Sequence, residues 1–339
     1  MTIGADQMPK SGEIQRASFY FSAHQDDWQL FMNPSAFRDV LEGNTKCIFI
    51  HMTAGDAGLG TGNGGRKYPL YLAREHGAEC AIRFMAESDW RPPVERMVLP
   101  MNFNSHLIQR VTYRNTVAYF LRVPDGSPEG TGYADIGHQS LKRLADGQID
   151  ALAAIDGTTM YHGWKDLVAT LRSIIDFERG SARSVQLNVP EADPIINPDD
   201  HSDHFMTAKA ALEAAVGLTC ARRLHYIGYA SAKLPENLSP QDRDMKCAIY
   251  AVTLAGVLAF DHPVAWQHYD HCFAGRNYFR VEERGGLVVA AMADKAMTRT
   301  SHSAEEIAIK LRPYPSSSAR EARKTPYRAG AFQNLPFYE

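Results

Sequence analysis

The chain alternates between short apolar runs of strand length and longer segments with apolar residues at helical spacing, and this alternation restricts its fold most. Runs without clean period-two alternation, such as KCIFIHMT at residues 46–53, are typical of strands buried on both faces. Alternating strands and helices predict an α/β fold with a mostly parallel sheet and right-handed crossovers. The predicted strands are residues 17–23, 46–53, two or three segments within 97–123, 149–155, 185–189 and 224–229. The predicted helices are residues 28–43, about 66–88, 133–145, 164–175, about 203–216 and 247–260.

Composition excludes several classes of protein. The 339 residues are 45% hydrophobic and 22% charged, a balance that excludes wholesale disorder. The net charge is -3 and no cluster of lysine and arginine stands out, so we expect no nucleic-acid partner. The longest apolar run, residues 247–260, falls short of the ~18–20 residues that cross a bilayer, so no membrane span is predicted.

The cysteines and the chain ends define the expected domain organisation. Five scattered cysteines with no Cys-x-x-Cys pair argue against a disulfide framework and favour reduced thiols in a cytoplasmic protein. With no repeat and no low-complexity linker, we predict one compact α/β domain at residues 17–261. Residues 1–16 have no apolar signal core and are expected to be flexible. Residues 262–339 are expected to form a C-terminal extension that packs on the same domain.

The first polar cluster follows the first predicted strand and contains His24, Asp26 and Asp27. Open parallel sheets bind their ligands at the carboxyl ends of the strands. An imidazole and two carboxylates within four residues are costly to hold together there unless something binds them. This cluster is therefore a candidate site.

The second cluster, residues 199–204 (DDHSDH), opens a helix for which Ser202 or Asp203 is the expected N-cap. His201 and His204 are three residues apart and can face the same way once the helix begins. The two clusters together supply a His, Asp, His set of the kind that holds a catalytic zinc with one open position. The remaining carboxylates and imidazole suit hydrolysis. The alternative is a solvated helix cap whose carboxylates complement the helix dipole.

The motifs AHQDD and HSDH resemble those of the PIG-L / LmbE-like family of zinc-dependent N-deacetylases, whose patterns are A-H-P-D-D-E and H-P-D-H. The resemblance covers about residues 18–229. It implies a doubly wound, Rossmann-like α/β fold with helices on both faces and zinc at the mouth of the first strand. The implied roles are zinc ligation by His24, Asp27 and His204, general base catalysis by Asp26, assistance to the tetrahedral intermediate or leaving group by His201, and orientation of His201 by Asp203.

The resemblance also suggests substrate contacts. Arg74 lies on a helix where the family often has an arginine that contacts substrate hydroxyl or phosphate groups, and Asp125 lies in a VPDG turn that recurs in relatives. Two departures from the family pattern are Gln25 in place of proline and Trp28 in place of glutamate. Neither removes a ligand. Trp28 is expected to wall the pocket or to stack on a sugar face.

The implied activity is removal of an acetyl group from an N-acetylated sugar or sugar-like small molecule. One alternative is a metal-dependent amidase that acts on a larger conjugate or biosynthetic intermediate. Another is a non-catalytic carbohydrate- or metal-binding relative. Iron or cobalt could use similar donors. The extension is expected to cap the site or to form a contact in a homo-oligomer.

Three further features have competing interpretations. The glycine-rich loop at residues 55–65 is read as a mobile lid rather than a phosphate cradle, because it lacks Gly-Lys-Ser/Thr. His51 and His106 are expected to be hydrogen-bonded core or pocket-wall residues. A rival metal set has ligand-like spacing but no carboxylate pair, which favours a surface or interface cluster. Its members are His262, His268 and His271.

Overall fold

The first strand of the chain lies at the centre of a ten-stranded sheet in the computed structural model, which describes residues 14–88, 92–218, 221–264, 266, 270–283 and 286–290. The strands are β1 (Arg16–Ser22), β2 (Thr45–Thr53), β3 (Met97–Val98), β4 (Met101–Phe103), β5 (His106–Tyr113), β6 (Thr116–Val123), β7 (Leu152–Ala153), β8 (Met160–Tyr161), β9 (Ser184–Pro190), β10 (Ala221–Tyr226), β11 (Phe279–Glu283) and β12 (Gly286–Ala290). The α-helices are α1 (Asp27–Phe31), α2 (Ser35–Leu41), α3 (Leu70–Ala86), α4 (Leu141–Ala145), α5 (Trp164–Arg179), α6 (Ser202–Ala214) and α7 (Pro240–Ala259).

The strand order makes this a doubly wound sheet. It runs β12-β11-β10-β9-β1-β2-β6-β5-β3, with β4 paired to β5. The central strands β10, β9, β1, β2 and β6 are parallel, whereas β5 and β11 pair antiparallel to their inner neighbours. From β1 the chain proceeds through β2 and β6 on one side and through β9 and β10 on the other. The order therefore reverses between β1 and β9, and such a reversal opens a crevice at the carboxyl ends of the strands.

Helices cover both faces of the sheet, as the alternation along the chain predicts. Phe19 and Phe21 of β1 pack in one buried cluster with α4, α5 and α6. Tyr20, which points to the opposite face, packs in a second cluster with α1, α2, α3 and α7. The mixed, mostly parallel α/β architecture is thus confirmed.

Two predicted elements differ in the structure. The apolar run at residues 149–155 contributes only β7, which pairs with β8 in a separate two-stranded ribbon. Asp156 and Gly157 form the turn of this ribbon, and pattern alone cannot tell such a hairpin from a strand of the main sheet. The predicted helix at 133–145 is interrupted, since Gly137 adopts a φ of 72° and α4 begins only after Ser140, whose side chain accepts a hydrogen bond from Arg143 N–H.

Two helices have different bounds from those predicted. The segment at 28–43 divides into α1 and α2 because Pro34 lies between them. A proline inside a helix cannot donate the backbone hydrogen bond and clashes with the preceding turn. Helix α7 starts seven residues before its apolar run, with Ser239 as N-cap and Pro240 in the first turn. Its polar first two turns escape a prediction made from apolarity alone.

The described part of the C-terminal extension joins the domain. Strand β11 pairs antiparallel with β10, and Lys246 of α7 donates hydrogen bonds to the carbonyl groups of Phe273 and Arg276. Residues 1–13 and 291–339 lie outside the described residues. They include most of the flexible segment predicted at 1–16 and most of the extension. Within the described chain, no helix combines the length and the apolarity that a membrane crossing requires. The described cysteines, Cys47, Cys80, Cys247 and Cys272, are free thiols.

Helices α3 and α7 cross at two glycines. A Cβ atom on Gly77 would lie 2.6 Å from the backbone oxygen of Thr253, and one on Gly256 would lie 2.7 Å from Gly77 Cα. We expect Gly77→Ala to lower the free energy of unfolding by about 1–2 kcal/mol. Because a contact of 2.6 Å falls on backbone that cannot rotate away, we expect the upper half of the usual overpacking cost of ~1–3 kcal/mol, which exceeds the helix-propensity gain of ~1 kcal/mol.

Urea denaturation of the Gly77→Ala protein checks this expectation. The matched control is Gly43→Ala, because a Cβ atom there meets nothing within 4 Å. Equal midpoints for both variants and the parent would show that α7 can move away from α3 without cost.

Candidate metal centre

Histidines and carboxylates from three loops converge at the crevice between β1 and β9. His24 and Asp27 follow β1, Asp125 follows β6, and the cluster that ends in His204 follows β9. All of these loops leave the carboxyl ends of parallel strands. Two overlapping groups have ligand atoms within 4.8 Å of one another, and either could hold a metal ion. The first is His24, Asp27 and His204, and the second is His24, Asp125, His201 and Asp203.

The first group matches the ligand set predicted from the sequence. Asp27 Oδ1 lies 3.5 Å from His24 Nδ1 and 3.2 Å from His204 Nε2, and all three residues are buried. The backbone N–H of His24 donates to the other Asp27 oxygen at 2.7 Å, which fixes the carboxylate at the start of α1. Bonds of ~2.0–2.1 Å in a tetrahedron put ligand atoms about 3.3 Å apart. These separations therefore fit a tetrahedral ion.

His204 has the surroundings of a metal ligand. Its Nδ1 donates to Asp200 Oδ1 at 2.9 Å, while its Nε2 is buried and makes no hydrogen bond within the described structure. Metal-binding histidines commonly donate their second nitrogen to a carboxylate in this way. Asn197 in turn donates to Asp200 at 2.5 Å, and a Cβ atom on Gly228 would lie 2.5 Å from the same carboxylate.

Asp200 is a residue that the sequence analysis did not assign to the site. The available signal was a carboxylate four residues before a ligand histidine, where the two side chains can meet. The sequence pattern by itself indicates only that the Asp200 carboxylate complements the dipole of the helix. The structure places it instead behind His204, where it sets the orientation and tautomer of the ring.

The second group is more open and includes Asp125. His24 Nε2 lies 3.8 Å from Asp125 Oδ2 and 3.7 Å from Asp203 Oδ2, and His201 Nε2 lies 3.9 Å from Asp125 Oδ1. These separations are longer than the ~3.3 Å of a tetrahedral zinc site. Asp125, expected from the resemblance to contact substrate, is thus part of the buried cluster itself.

The N-cap of α6 is His201, not Ser202 or Asp203 as expected. Its Nδ1 accepts the backbone N–H of Asp203 at 3.1 Å. Asp203 therefore orients His201 through its backbone, while its carboxylate accepts the N–H of Gly126 at 2.8 Å. A Cβ atom on Gly126 would lie 2.5 Å from Asp203 Oδ1, so the VPDG turn needs its glycine to approach this closely.

The electrostatics of the centre demand positive charge. Burial acts to lower the pKa of His24, but Asp27, Asp203 and Asp125 overcome it and raise that pKa to about 10. Despite its burial, the pKa of Asp27 is held well below its usual value by His204 and His24. Without a metal, protons on the histidines balance these carboxylates, and a divalent cation can take their place.

Asp26 and Arg74 lie beside the centre and belong to neither group. They form an ion pair, and Arg74 Nε also donates to Gln25 Oε1 at 3.2 Å. Gln25, which replaces the usual proline, thereby helps to fix Arg74, and its own amide donates to the carbonyl oxygen of Thr53 at 2.9 Å. The side chain of Asp26 is 22% exposed, so water can reach it.

The expectation that Trp28 walls the pocket or stacks on a sugar is wrong. Its side chain is 0% exposed and packs against Phe49, with ring centroids 4.7 Å apart. Trp28 points into the core beneath α1, in the buried cluster that also includes residues of α2, α3 and α7. A larger apolar residue thus fills a place where the family has a glutamate.

The other histidines have structural contacts. His51 stacks on Phe120 in the core, and His106 hydrogen-bonds Thr159 Oγ1 at 2.7 Å and Asp166 Oδ1 at 3.1 Å. Both agree with their predicted core or wall positions. Of the rival set, His268 lies outside the described residues. His262, whose Nε2 lies 2.7 Å from the Tyr68 carbonyl oxygen, and His271 belong to no metal-capable group of the described residues.

A cleft of about 280 Å³ opens next to Asp26 and Arg74. The glycine-rich loop forms one wall of it, and the C-terminal half of α7 forms another. Asp56 anchors the loop by accepting the N–H groups of Gly60 and Asp125. The loop therefore lies where a lid would lie, and its motion stays a prediction.

This chain matches no protein-family model, no curated protein and no solved structure. The likeness to the PIG-L / LmbE-like family therefore stays a resemblance carried by the two motifs and their surroundings.

Proposed function

We propose that this protein is a zinc-dependent N-deacetylase that removes an acetyl group from an N-acetylated sugar or sugar-like molecule. The observation that carries the proposal is His204 Nε2, a buried nitrogen without a hydrogen bond, 3.2 Å from Asp27 Oδ1 and backed by Asp200. A buried nitrogen that lies within ion-pairing distance of a carboxylate but makes no hydrogen bond is less well satisfied than one that a metal ion occupies.

His24, Asp27 and His204 would hold the ion. Two imidazoles and one carboxylate are the donor set of many catalytic zinc sites, and the ligand spacing fits zinc. A bound zinc ion supplies Lewis acidity towards a carbonyl group and lowers the pKa of water towards neutrality.

Asp26 is the proposed general base. Asp26 lies in the loop after β1, immediately before the ligand Asp27. Its carboxylate lines the cleft beside the centre. The ion pair with Arg74 holds this carboxylate in one orientation. A water molecule that enters from the cleft can therefore give its proton to Asp26 as it attacks the amide carbon.

His201 is the proposed hydrogen-bond donor to the substrate. Because its Nδ1 accepts the N–H of Asp203, the neutral ring carries its proton on Nε2. That nitrogen faces the shared space of the centre, 3.9 Å from Asp125. It can donate to the developing oxyanion and then pass its proton to the departing amine.

Replacement of Asp26 by asparagine tests the proposal. We expect acetate release from N-acetylated amino sugars to fall about 10²–10⁴-fold, the usual contribution of a general base, while the zinc content stays at that of the parent protein. The matched control is Asp199→Asn, since Asp199 is an exposed carboxylate of the second polar cluster and pairs only weakly with Lys233 at 3.4 Å. Undiminished turnover in Asp26→Asn would contradict the assignment, and loss of zinc would show that Asp26 serves the metal instead.

A metal-dependent amidase that acts on a larger conjugate is the second candidate. The specific observation in its favour is the cleft beside Asp26, which extends along α7 beyond the space needed for an acetyl group. The same centre would serve both reactions. The difference lies in what the cleft binds.

A further inference from the structure

The cleft has a polar end and an apolar wall. At the polar end, Gln25, Asp26 and Arg74 lie directly beside the candidate centre. Farther out, the lining comes mainly from Leu59 of the glycine-rich loop and from Leu254 and Val257 of α7. Its volume of about 280 Å³ is close to the lower end of the range for small-molecule sites, ~300–1,000 Å³.

The Leu59 side chain can offer a ligand in the cleft only an apolar contact. It lies on the glycine-rich loop and is 43% exposed, although it lines a cleft rather than an open surface. Leu70 at the start of α3 and Pro263 and Val264 after α7 extend the same apolar lining. A ligand that covered these side chains would remove apolar surface from water on two sides.

Asn63, Tyr133 and Tyr250 also line the cleft, but the polar groups of Thr253 and His262, beside the apolar side chains of α7, are used within the protein. Thr253 Oγ1 accepts from Gln29 at 3.2 Å and donates to the carbonyl oxygen of Ile249 at 3.3 Å. His262 Nε2 is occupied by the carbonyl oxygen of Tyr68. Hydroxyl groups of a sugar ring that lay against Leu254 and Val257 would find no free partner in Thr253 or His262, at a cost of about 1–3 kcal/mol for each buried group.

The charges on the lining favour an uncharged ligand. Among the described residues, the lining contains two carboxylates, Asp26 and Asp135, and two guanidinium groups, Arg66 and Arg74. Their formal charges cancel. A phosphorylated or otherwise strongly anionic ligand would need an excess of positive charge here.

We propose that the substrate amide carries an extended, uncharged apolar group that lies against Leu59, Leu254 and Val257 while the amide reaches the centre. This inference rests on the proposed function for the identity of the reacting bond. It deepens that function, because it assigns the substrate to the amphipathic amides rather than to free N-acetylated sugars. Both the acyl side and the amine side of an amide can carry an apolar group, and the experiment separates them.

Direct binding measurements test the inference without turnover. The probes are N-acetylglucosamine, its octyl β-glycoside as the amine-side arm, and N-octanoylglucosamine as the acyl-side arm, titrated calorimetrically into the purified protein. Each buried methylene group adds ~4-fold in affinity, so burial of three or more predicts binding at least about 50-fold tighter than that of N-acetylglucosamine in one arm. The arm that gains affinity identifies the side that carries the apolar group.

Three variants locate the bound group. Leu59→Asn and Leu254→Asn place a polar side chain of similar size in the lining, and each should cancel about tenfold or more of the gain. Leu59 is partly exposed on a loop, so its variant does not depend on refolding of the core. Leu258→Asn is the matched control, because Leu258 is 55% exposed on the same helix and outside the lining.

The outcomes separate this inference from the proposed function. A gain that Leu59→Asn and Leu254→Asn remove and Leu258→Asn keeps supports the inference, even if no amide is hydrolysed. Equal affinity for all three probes overturns it, even if acetate is released from N-acetylglucosamine. A gain that no lining variant reduces also overturns it, since the group would then bind elsewhere.

Discussion

The His204→Gln protein should fail to bind zinc stoichiometrically, whereas the parent protein should bind one ion per chain. Glutamine keeps most of the side-chain volume and removes the imidazole nitrogen that faces Asp27. That nitrogen is buried, lacks a hydrogen bond and lies 3.2 Å from Asp27 Oδ1, so it is the ligand atom whose position is best defined. Loss of one of three protein ligands leaves too few donors for a stable tetrahedral site. Metal analysis after dialysis against micromolar zinc measures the effect.

The two overlapping groups make His201→Gln the matched control. His201 belongs to the group with separations of 3.7–3.9 Å, and its Nδ1 already accepts the Asp203 N–H. If the ion lies between His24, Asp27 and His204, His201→Gln keeps its zinc. The reverse order, with zinc lost in His201→Gln and kept in His204→Gln, would place the ion in the other group and contradict the ligand assignment.

Asp200→Asn gives an intermediate test of the same centre. An amide can hydrogen-bond the imidazole but carries no negative charge to make it a better donor to a metal. We expect zinc affinity to fall about 10–100-fold, the usual effect of such outer partners, with the fold intact. An unchanged affinity would mean that the contact of 2.9 Å between Asp200 and His204 serves only the packing of α6.

The sequence predicts the class of fold and the convergence of the two polar clusters for a simple reason. Parallel strands place their carboxyl ends on one edge, so residues that follow β1 and β9 must come close once these strands are neighbours. His24, Asp27 and His204 are about 180 positions apart at their extremes and still meet. The strand pattern does not predict that β1 and β9 are neighbours. Only the family resemblance, which implies a doubly wound sheet, suggests it.

What the sequence could not predict depends on close packing between distant segments. Burial of Trp28 follows from how α1 lies on the sheet, and the sequence alone does not show whether its side chain turns into the core or towards the pocket. The place of Asp125 in the cluster requires the approach of the VPDG turn to Asp203, which Gly126 alone permits. Both α3 and α7 line the cleft, and they cross at Gly77. The sequence does not show that two isolated glycines in separate helices will be in contact.

The metal-free protein should lose stability relative to the zinc-loaded protein as the pH rises above about 6.5. The folded-state pKa of His24 is about 10, against 6.5 for an ordinary histidine, because Asp27, Asp203 and Asp125 outweigh the effect of burial. A raised histidine pKa contributes stability that is fully present below the unfolded value and is lost as the pH rises through the folded one. At 1.36 kcal/mol for each pH unit, the full loss from this one group approaches roughly 5 kcal/mol.

The Asp27 carboxylate has the opposite effect on the dependence of stability on pH. Its pKa lies well below 3.8, so its contribution is present above that value and is lost as the pH falls further. Together, His24 and Asp27 therefore contribute most to the stability of the metal-free protein between about pH 4 and pH 6.5. Bound zinc takes the place of the proton on His24, and the zinc-loaded protein then has no such proton to lose between pH 6.5 and pH 10.

Urea unfolding at pH 6.5, 8 and 9.5, with chelator and with excess zinc, measures the two curves. We expect the free energy of unfolding in chelator to fall with pH relative to that in zinc, because groups outside the centre, such as Lys246 with its pKa lowered by burial to about 7, titrate in both curves. His24→Gln should reduce this difference, leaving the part that comes from the raised pKa of His204, while His271→Gln, which alters an exposed histidine, should keep it. Parallel curves with and without zinc would show that the ion does not replace the proton on His24, and with that result the assignment of His24 as a ligand would fail.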